Sequence, residues 1–267
     1  HTLTLQIMHN SAKLYAKQGI YHESEAFFDA CYNLRKEKSA NCDDLESIAI
    51  LQDYADMFIK QEKYEKAEPL YHDLLEAHKR IYGLDHSTTL STTIKLAEVC
   101  EKMEKSTSAE SLYSEVIEKI EAVQGVNSEE AISLKVTLGM LHETQGNYEA
   151  AEEIYCKCFD QRCKLLGSDH LDTIALKEKL GELSRKQENY DQASLFLLQC
   201  FEQLKLTFGM NHVRTLQVMF KIAVLYKEMG MQSQAQPLYL ECIQRSTSLL
   251  GPDHSITKSF IEQYSRN

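Results

Sequence analysis

Residues 170–211 read HLDTIALKEKLGELSRKQENYDQASLFLLQCFEQLKLTFGMN, and the spacing inside this stretch decides the fold of the whole chain. Thr173, Leu176, Leu180 and Leu183 recur at intervals of 3, 4 and 3, which is one stripe of an α-helix. Glu188-Asn189-Tyr190 breaks the pattern. Ala193, Phe196, Leu197, Cys200, Leu204 and Phe208 then form a second helical stripe. Gly209 is placed to end that helix in the left-handed conformation, and Asn211 to cap the next one through its side-chain oxygen, as Asp85, Asp169 and Asp253 are elsewhere. The stretch therefore encodes two antiparallel helices, A and B, joined by a short turn.

Outward from this stretch the same unit returns every 42 residues. Ala67, Ala109, Ala151, Ala193 and Ala235 keep that interval, as do Gly83, Gly125, Gly167, Gly209 and Gly251. Ala55, Ala97, Gly139, Gly181 and Ala223 form a third ladder in register with the other two. Such a period makes the chain a repeat array. It predicts an all-α, right-handed superhelical solenoid of antiparallel helix pairs, a single repeat domain over 1–267. Its repeats are expected at 1–43, 44–85, 86–127, 128–169, 170–211 and 212–253, with a partial capping helix over 254–267. The first junction is one residue longer, since Tyr21 and Tyr64 are 43 apart.

The small residues imply how the unit packs. Backbones approach closely only where no large side chain intervenes, so the small sites mark where helices A and B touch. Four residues beyond the B-helix alanines stand Tyr71, Tyr113, Tyr155, Leu197 and Tyr239, bulk that is expected to fill the space toward the next repeat.

A family resemblance rests on these residues. Lys63-Tyr64-x-x-Ala67-Glu68-Pro69-Leu70-Tyr71 and Gly146-Asn147-Tyr148-x-x-Ala151-Glu152 resemble the tetratricopeptide repeat. The linkers Gly83-x-Asp85-His86-x-x-Thr89, Gly167-x-Asp169-His170-x-x-Thr173, Gly209-x-Asn211-His212-x-x-Thr215 and Gly251-x-Asp253-His254-x-x-Thr257 look like those of the long, kinesin-light-chain type. That repeat type also occurs in nephrocystin-like proteins and in sensor arms of signalling NTPases. The resemblance implies a protein-binding array whose A helices line a groove. It does not carry over the family's usual Asn two residues before the A-helix small site. Only Asn10 keeps that residue; Asp53, Lys95, Thr137, Lys179 and Lys221 replace it.

Composition narrows the function further. The formal charge of −11, from 29 basic and 40 acidic residues, argues against nucleic acid and anionic membrane surfaces as partners. No apolar run is long enough to insert in a bilayer, and His1-Thr2-Leu3-Thr4-Leu5 is no secretory signal. Of the eight cysteines, Cys31, Cys158, Cys200 and Cys242 share one repeat position with Leu74 and Val116, which reads as a reduced core thiol in a cytoplasmic protein. Cys156, Cys158 and Cys163 lack a zinc spacing, and the linker histidines stand in separate repeats, so they read as turn-closing devices and no metal site is expected. No phosphate loop or nucleophile motif is present, so neither catalytic residues nor a cofactor are expected.

One face carries the candidate site. Counted at about 100° per residue, positions two before and five after the A-helix small site point to the open side. They include Asn10, Lys17, Lys60, Lys95, Lys102, Lys179, Lys186 and Lys221, with Lys13 beside them. These nine residues are the expected peptide-binding groove of a protein-interaction scaffold or adaptor, with an acidic or mixed segment as ligand. The rival expectation is a ligand-sensing arm of a larger signalling NTPase or caspase-type protein. Finally, His1-x-x-Thr4-Leu5 matches His212-x-x-Thr215-Leu216, as if the chain opened inside a linker. Helix 2–17 should then show an apolar stripe and promote self-association through that end.

Overall fold

The computed structural model describes residues 2–38 and 44–265, which form thirteen α-helices and, among the described residues, no strand. Cys42 and the expected repeat boundary at 43 lie outside the described residues. The A helices are α1 (Thr2–Lys17), α3 (Leu45–Lys60), α5 (Ser87–Lys102), α7 (Glu129–Thr144), α9 (Leu171–Lys186) and α11 (Val213–Glu228). The B helices are α2 (Tyr21–Lys38), α4 (Tyr64–Tyr82), α6 (Ser106–Gln124), α8 (Tyr148–Leu166), α10 (Tyr190–Phe208) and α12 (Gln232–Leu250); α13 (Ser255–Ser265) follows. The fold is all-α, as the period predicts, with A and B alternating throughout. Two compact units divide between Gly125 and Val126, the first holding α1–α6 and the second α7–α13.

The turn inside each repeat closes on its own backbone. Beyond α3, Glu62 N–H donates to the Ile59 carbonyl at 2.9 Å and Lys63 N–H to the Phe58 carbonyl at 3.0 Å, the paired bonds of a Schellman motif. Gly19, Glu104, Gly146, Glu188 and Gly230 hold the place of Glu62 in the other repeats, with the same pair of bonds. All six take positive φ, 59–60° at the glutamates and 76–77° at the glycines. This is a further ladder, carried by conformation instead of residue type.

The linker between repeats corrects two expectations. Gly209 has φ 83° and ψ 172°, an extended mirror conformation open in practice only to glycine, and not the left-handed helical one. Its counterparts Gly83, Gly125, Gly167 and Gly251 do the same. The second correction moves the helix cap by one residue. Asp85, Asp169 and Asn211 are not caps; the caps are His86, His170 and His212. Their Nδ1 atoms accept from the N–H of Thr88, Asp172 and Arg214 at 3.2, 3.3 and 3.3 Å. His254 does the same for Ile256 at 3.3 Å. An imidazole reaches the second N–H of the helix as an Asp side chain would. Thr89 and Thr173 complete the linker by donating their hydroxyls to the carbonyls of Gly83 and Gly167 at 2.7 and 2.8 Å.

The small sites lie where the helices touch. All five B-helix alanines have 0% exposure, and the five residues of the A-helix ladder are buried. A Cβ on Gly139 would stand 2.5 Å from Tyr155 Cε1. The large residue therefore seats first on the small residue of its own repeat. Tyr155 also joins Leu176, Leu180 and Leu183 of the next A helix in one core cluster, so the bulk fills both spaces. The core thiols behave as packing residues: Cys31, Cys158, Cys200 and Cys242 are fully buried, each with Sγ 3.6–3.9 Å from an A-helix carbonyl of its repeat.

Candidate functional site: the open face of the A helices

The site follows from how successive A helices meet. Within each unit, one edge of an A helix carries the residues three before, one after and four after the small site. The next helix turns its own edge toward it, with the residues two before and five after. In the second unit the outcome is a ladder of ion pairs. Lys186 of α9 donates to Glu143 of α7 at 2.7 Å, and Arg185 of α9 to Glu228 of α11 at 2.7 Å. Lys221 of α11 reaches Glu178 and Glu182 of α9 at 2.7 and 3.6 Å, and Arg214 reaches Glu178 at 3.1 Å. Glu178 is 8% exposed, so its two cations meet it in a largely dry setting.

Lys179, Lys186, Lys221 and Arg214 line a cleft of about 370 Å³ with Glu143, Glu178, Glu182 and Ala175. Burial would raise the Glu143 carboxyl. Hydrogen bonds from Lys186 and from the Tyr155 hydroxyl, with the charges of Lys186 and Lys179, hold it below the ordinary carboxylate range instead. Lys179 is half-buried and makes no ion pair among the described residues.

The first unit has a separate cleft of about 270 Å³ between α1, α3 and α5. Lys13, Lys17, Lys60 and Lys95 line it, with Asp53, Asp56, Ala16 and Ile59. Its carboxylates are engaged. Asp53 bonds His9 and Lys13 at 2.7 and 2.8 Å, which outweighs burial and lowers its pKa. Asp56 accepts from the Tyr71 hydroxyl. Lys95 pairs with Glu98 on its own helix at 2.9 Å. Lys17, Lys60 and Lys102 are exposed and have no ion pair among the described residues.

Of the nine expected residues, the structure gathers Lys13, Lys17, Lys60 and Lys95 around one cleft and Lys179, Lys186 and Lys221 around the other. Asn10 and Lys102 are exposed outside both. Reading the sequence missed Glu143, Glu178, Glu182 and Arg214. Angle counting selected one edge of the open face, while the carboxylates lie on the facing edge: Glu178 three before the small site, Glu182 one after it and Glu143 four after it. The spacing of 43 between Glu143 and Lys186, and between Glu178 and Lys221, was the available signal.

The tetratricopeptide repeat family model matches residues 3–71, 46–122, 88–164, 129–205 and 172–248. Among curated proteins none matches by sequence. Solved structures share the fold. A kinesin light chain-type protein of nearly identical TPR-like repeats from Podosopora anserina aligns at TM-score 0.65 and 16% identity, over 74% of this chain and 93% of that one. BtubC (BKLC) from P. vanneervenii aligns at 0.64 and 18%, over 92% of each chain. The Rap conjugation gene regulator of plasmid pLS20, solved in complex with a peptide, aligns at 0.58 and 13%, over 98% and 80%.

Proposed function

Because the chain belongs to the tetratricopeptide repeat family, whose arrays are non-enzymatic protein-interaction scaffolds, we propose that its open A-helix face binds a peptide segment of a partner protein. The segment is acidic or of mixed charge. One observation carries this reading: in a chain of net charge −11, cations outnumber carboxylates in both A-face clefts, four to two in the first and four to three in the second. The Rap regulator, which shares this fold, was solved in complex with a peptide, and that supports a peptide ligand here. A peptide array probed at low and at physiological salt tests it. Binding should favour acidic sequences and fade as salt rises, because exposed charges are screened over about 8 Å. Preference for basic or uncharged peptides, or binding indifferent to salt, would remove the electrostatic reading.

Two further features belong to this proposal. The buried thiols of Cys31, Cys100, Cys200 and Cys242, which form no disulfide among the described residues, support a reducing compartment such as the cytoplasm; no helix among the described residues is long and apolar enough to cross a membrane. Self-association through α1 is supported by Leu3, Ile7 and Leu14, which are 68%, 57% and 55% exposed. The equivalents of Ile7 and Leu14 in α9 and α11 are Leu176, Val218, Leu183 and Leu225, at 0–1%. Ile7→Gln/Leu14→Gln should lower the association seen by light scattering; no change would remove this point.

A further inference from the structure

The two clefts differ at the position four after the A-helix small site, and that difference decides which lysines have a counter-ion on the neighbouring A helix. In the second unit the residue four after the A-helix small site is a counter-ion for the residue five after the next one. Glu143 serves Lys186 in this way, and Arg185 serves Glu228. In the first unit the serving position is Ala16 before Lys60 and Ile59 before Lys102. Neither can accept a proton or carry charge. Lys17, Lys60 and Lys102 thus stand at equivalent positions of α1, α3 and α5, exposed, with no ion pair among the described residues. The cleft's own carboxylates do not compensate, since Asp53 is held by His9 and Lys13 and Asp56 by Tyr71.

At the second cleft an acidic ligand meets Lys186, Lys221 and Arg214 already paired with Glu143, Glu178 and Glu182, and Lys179 within the field of Glu143. At the first unit it meets three lysines, Lys17, Lys60 and Lys102, without an ion pair among the described residues. We infer that the first unit alone captures acidic segments, through Lys17, Lys60 and Lys102 beside the cleft floored by Ala16 and Ile59. In the second unit Lys186 and Lys221 are structural cross-braces. This inference rests on the A-face reading above and narrows it to one unit and one ligand charge.

The test uses the full chain and a short fluorescein-labelled oligoglutamate peptide, followed by anisotropy at low salt, with oligolysine as the opposite charge. Lys17→Gln/Lys60→Gln/Lys102→Gln should weaken oligoglutamate about tenfold, the sum of three modest exposed charge contacts. Lys179→Gln/Lys186→Gln/Lys221→Gln should change it less than about twofold. Ala16→Glu/Ile59→Glu leaves every lysine in place but supplies the missing counter-ions, and should weaken binding as much as the first triple variant. Circular dichroism confirms that each variant is folded, and the lysine variants stand if Ile59→Glu does not fold. Loss in the second-unit variant alone, or equal loss in both, overturns the assignment while leaving the A face as the binding surface. Wild-type protein that does not bind oligoglutamate, or binding unchanged in all variants, overturns the A-face reading with it.

Discussion

The ring of Tyr155 occupies the space that a side chain on Gly139 would need, with Cε1 2.5 Å and Cδ1 2.9 Å from the Cβ site. Tyr155 is fully buried and its hydroxyl donates to Glu143 at 2.9 Å, so the ring is held at both ends. At the equivalent Gly181 the neighbour is Leu197, 3.0 Å away at Cγ, and a leucine can turn. Gly139→Ala should therefore destabilise the second unit by about 1–2 kcal/mol, overpacking outweighing the gain in helix propensity. Gly181→Ala should be neutral within about 0.5 kcal/mol. Urea midpoints compare the two; equal midpoints would contradict the packing argument.

Three repeat turns carry glutamate where the backbone requires positive φ. Glu62, Glu104 and Glu188 sit at φ 59–60°. A non-glycine residue there is strained, and glycine relieves more than it loses in chain entropy. Each Glu→Gly change should raise stability by about 0.5–1 kcal/mol. Gly146→Ala and Gly230→Ala should cost about 1 kcal/mol. Thermal unfolding of the single variants checks both signs.

Acid should loosen the first unit before it reaches the carboxylates. His78 is 2% exposed, and its Nδ1 lies 2.8 Å from the Thr92 hydroxyl, whose own proton goes to the Thr88 carbonyl. Nδ1 is therefore the protonated nitrogen. Burial first, and the charge of His86 second, hold the pKa of His78 below the ordinary histidine value. A folded pKa below the unfolded one places the full stability above about pH 6.5, lost as pH falls through that value toward the folded pKa. Urea midpoints should be level above about pH 7 and fall below about 6.5, less steeply in His78→Gln. An identical slope in the variant would exclude His78 as a contributor.

Charge reversal should separate bracing lysines from free ones. Lys221→Glu sets a carboxylate against Glu178, which is 8% exposed, and should destabilise the second unit by about 1–3 kcal/mol. Lys102 has no ion pair among the described residues, and Lys102→Glu should stay within about 0.5 kcal/mol. Chemical denaturation of both variants decides the matter, and equal effects would refute the cross-brace role of Lys221.

Much of this was legible in the residues. The period of 42 announced the helix pairs, because each repeat must place the same small residue at the same helix contact. The ladder of Ala67 to Ala235 could not have arisen from anything less constrained. The linker histidines were legible as turn devices, though the cap was misplaced by one residue, since Asp and Asn outrank His as caps. What the sequence hid was contact across 35–44 residues. Glu143 and Lys186 each look like an ordinary solvated charge on its own helix. Only the register between neighbouring A helices makes them partners, and a reading of single helices does not contain that register.

The self-closed turns have a consequence for how such a chain could be shortened or rearranged. Excising residues 170–211 would join Asp169 to His212 and regenerate a Gly-x-Asp-His linker, with His212 still capping α11. The backbone would tolerate the loss of one module. The charges would not: Glu143 would come to face Glu228, and Lys221 would lose Glu178 and find Val136 and Met140 in the matching places. The modules share one shape yet are addressed individually, and the ion pairs act as a serial order stamped on otherwise interchangeable parts.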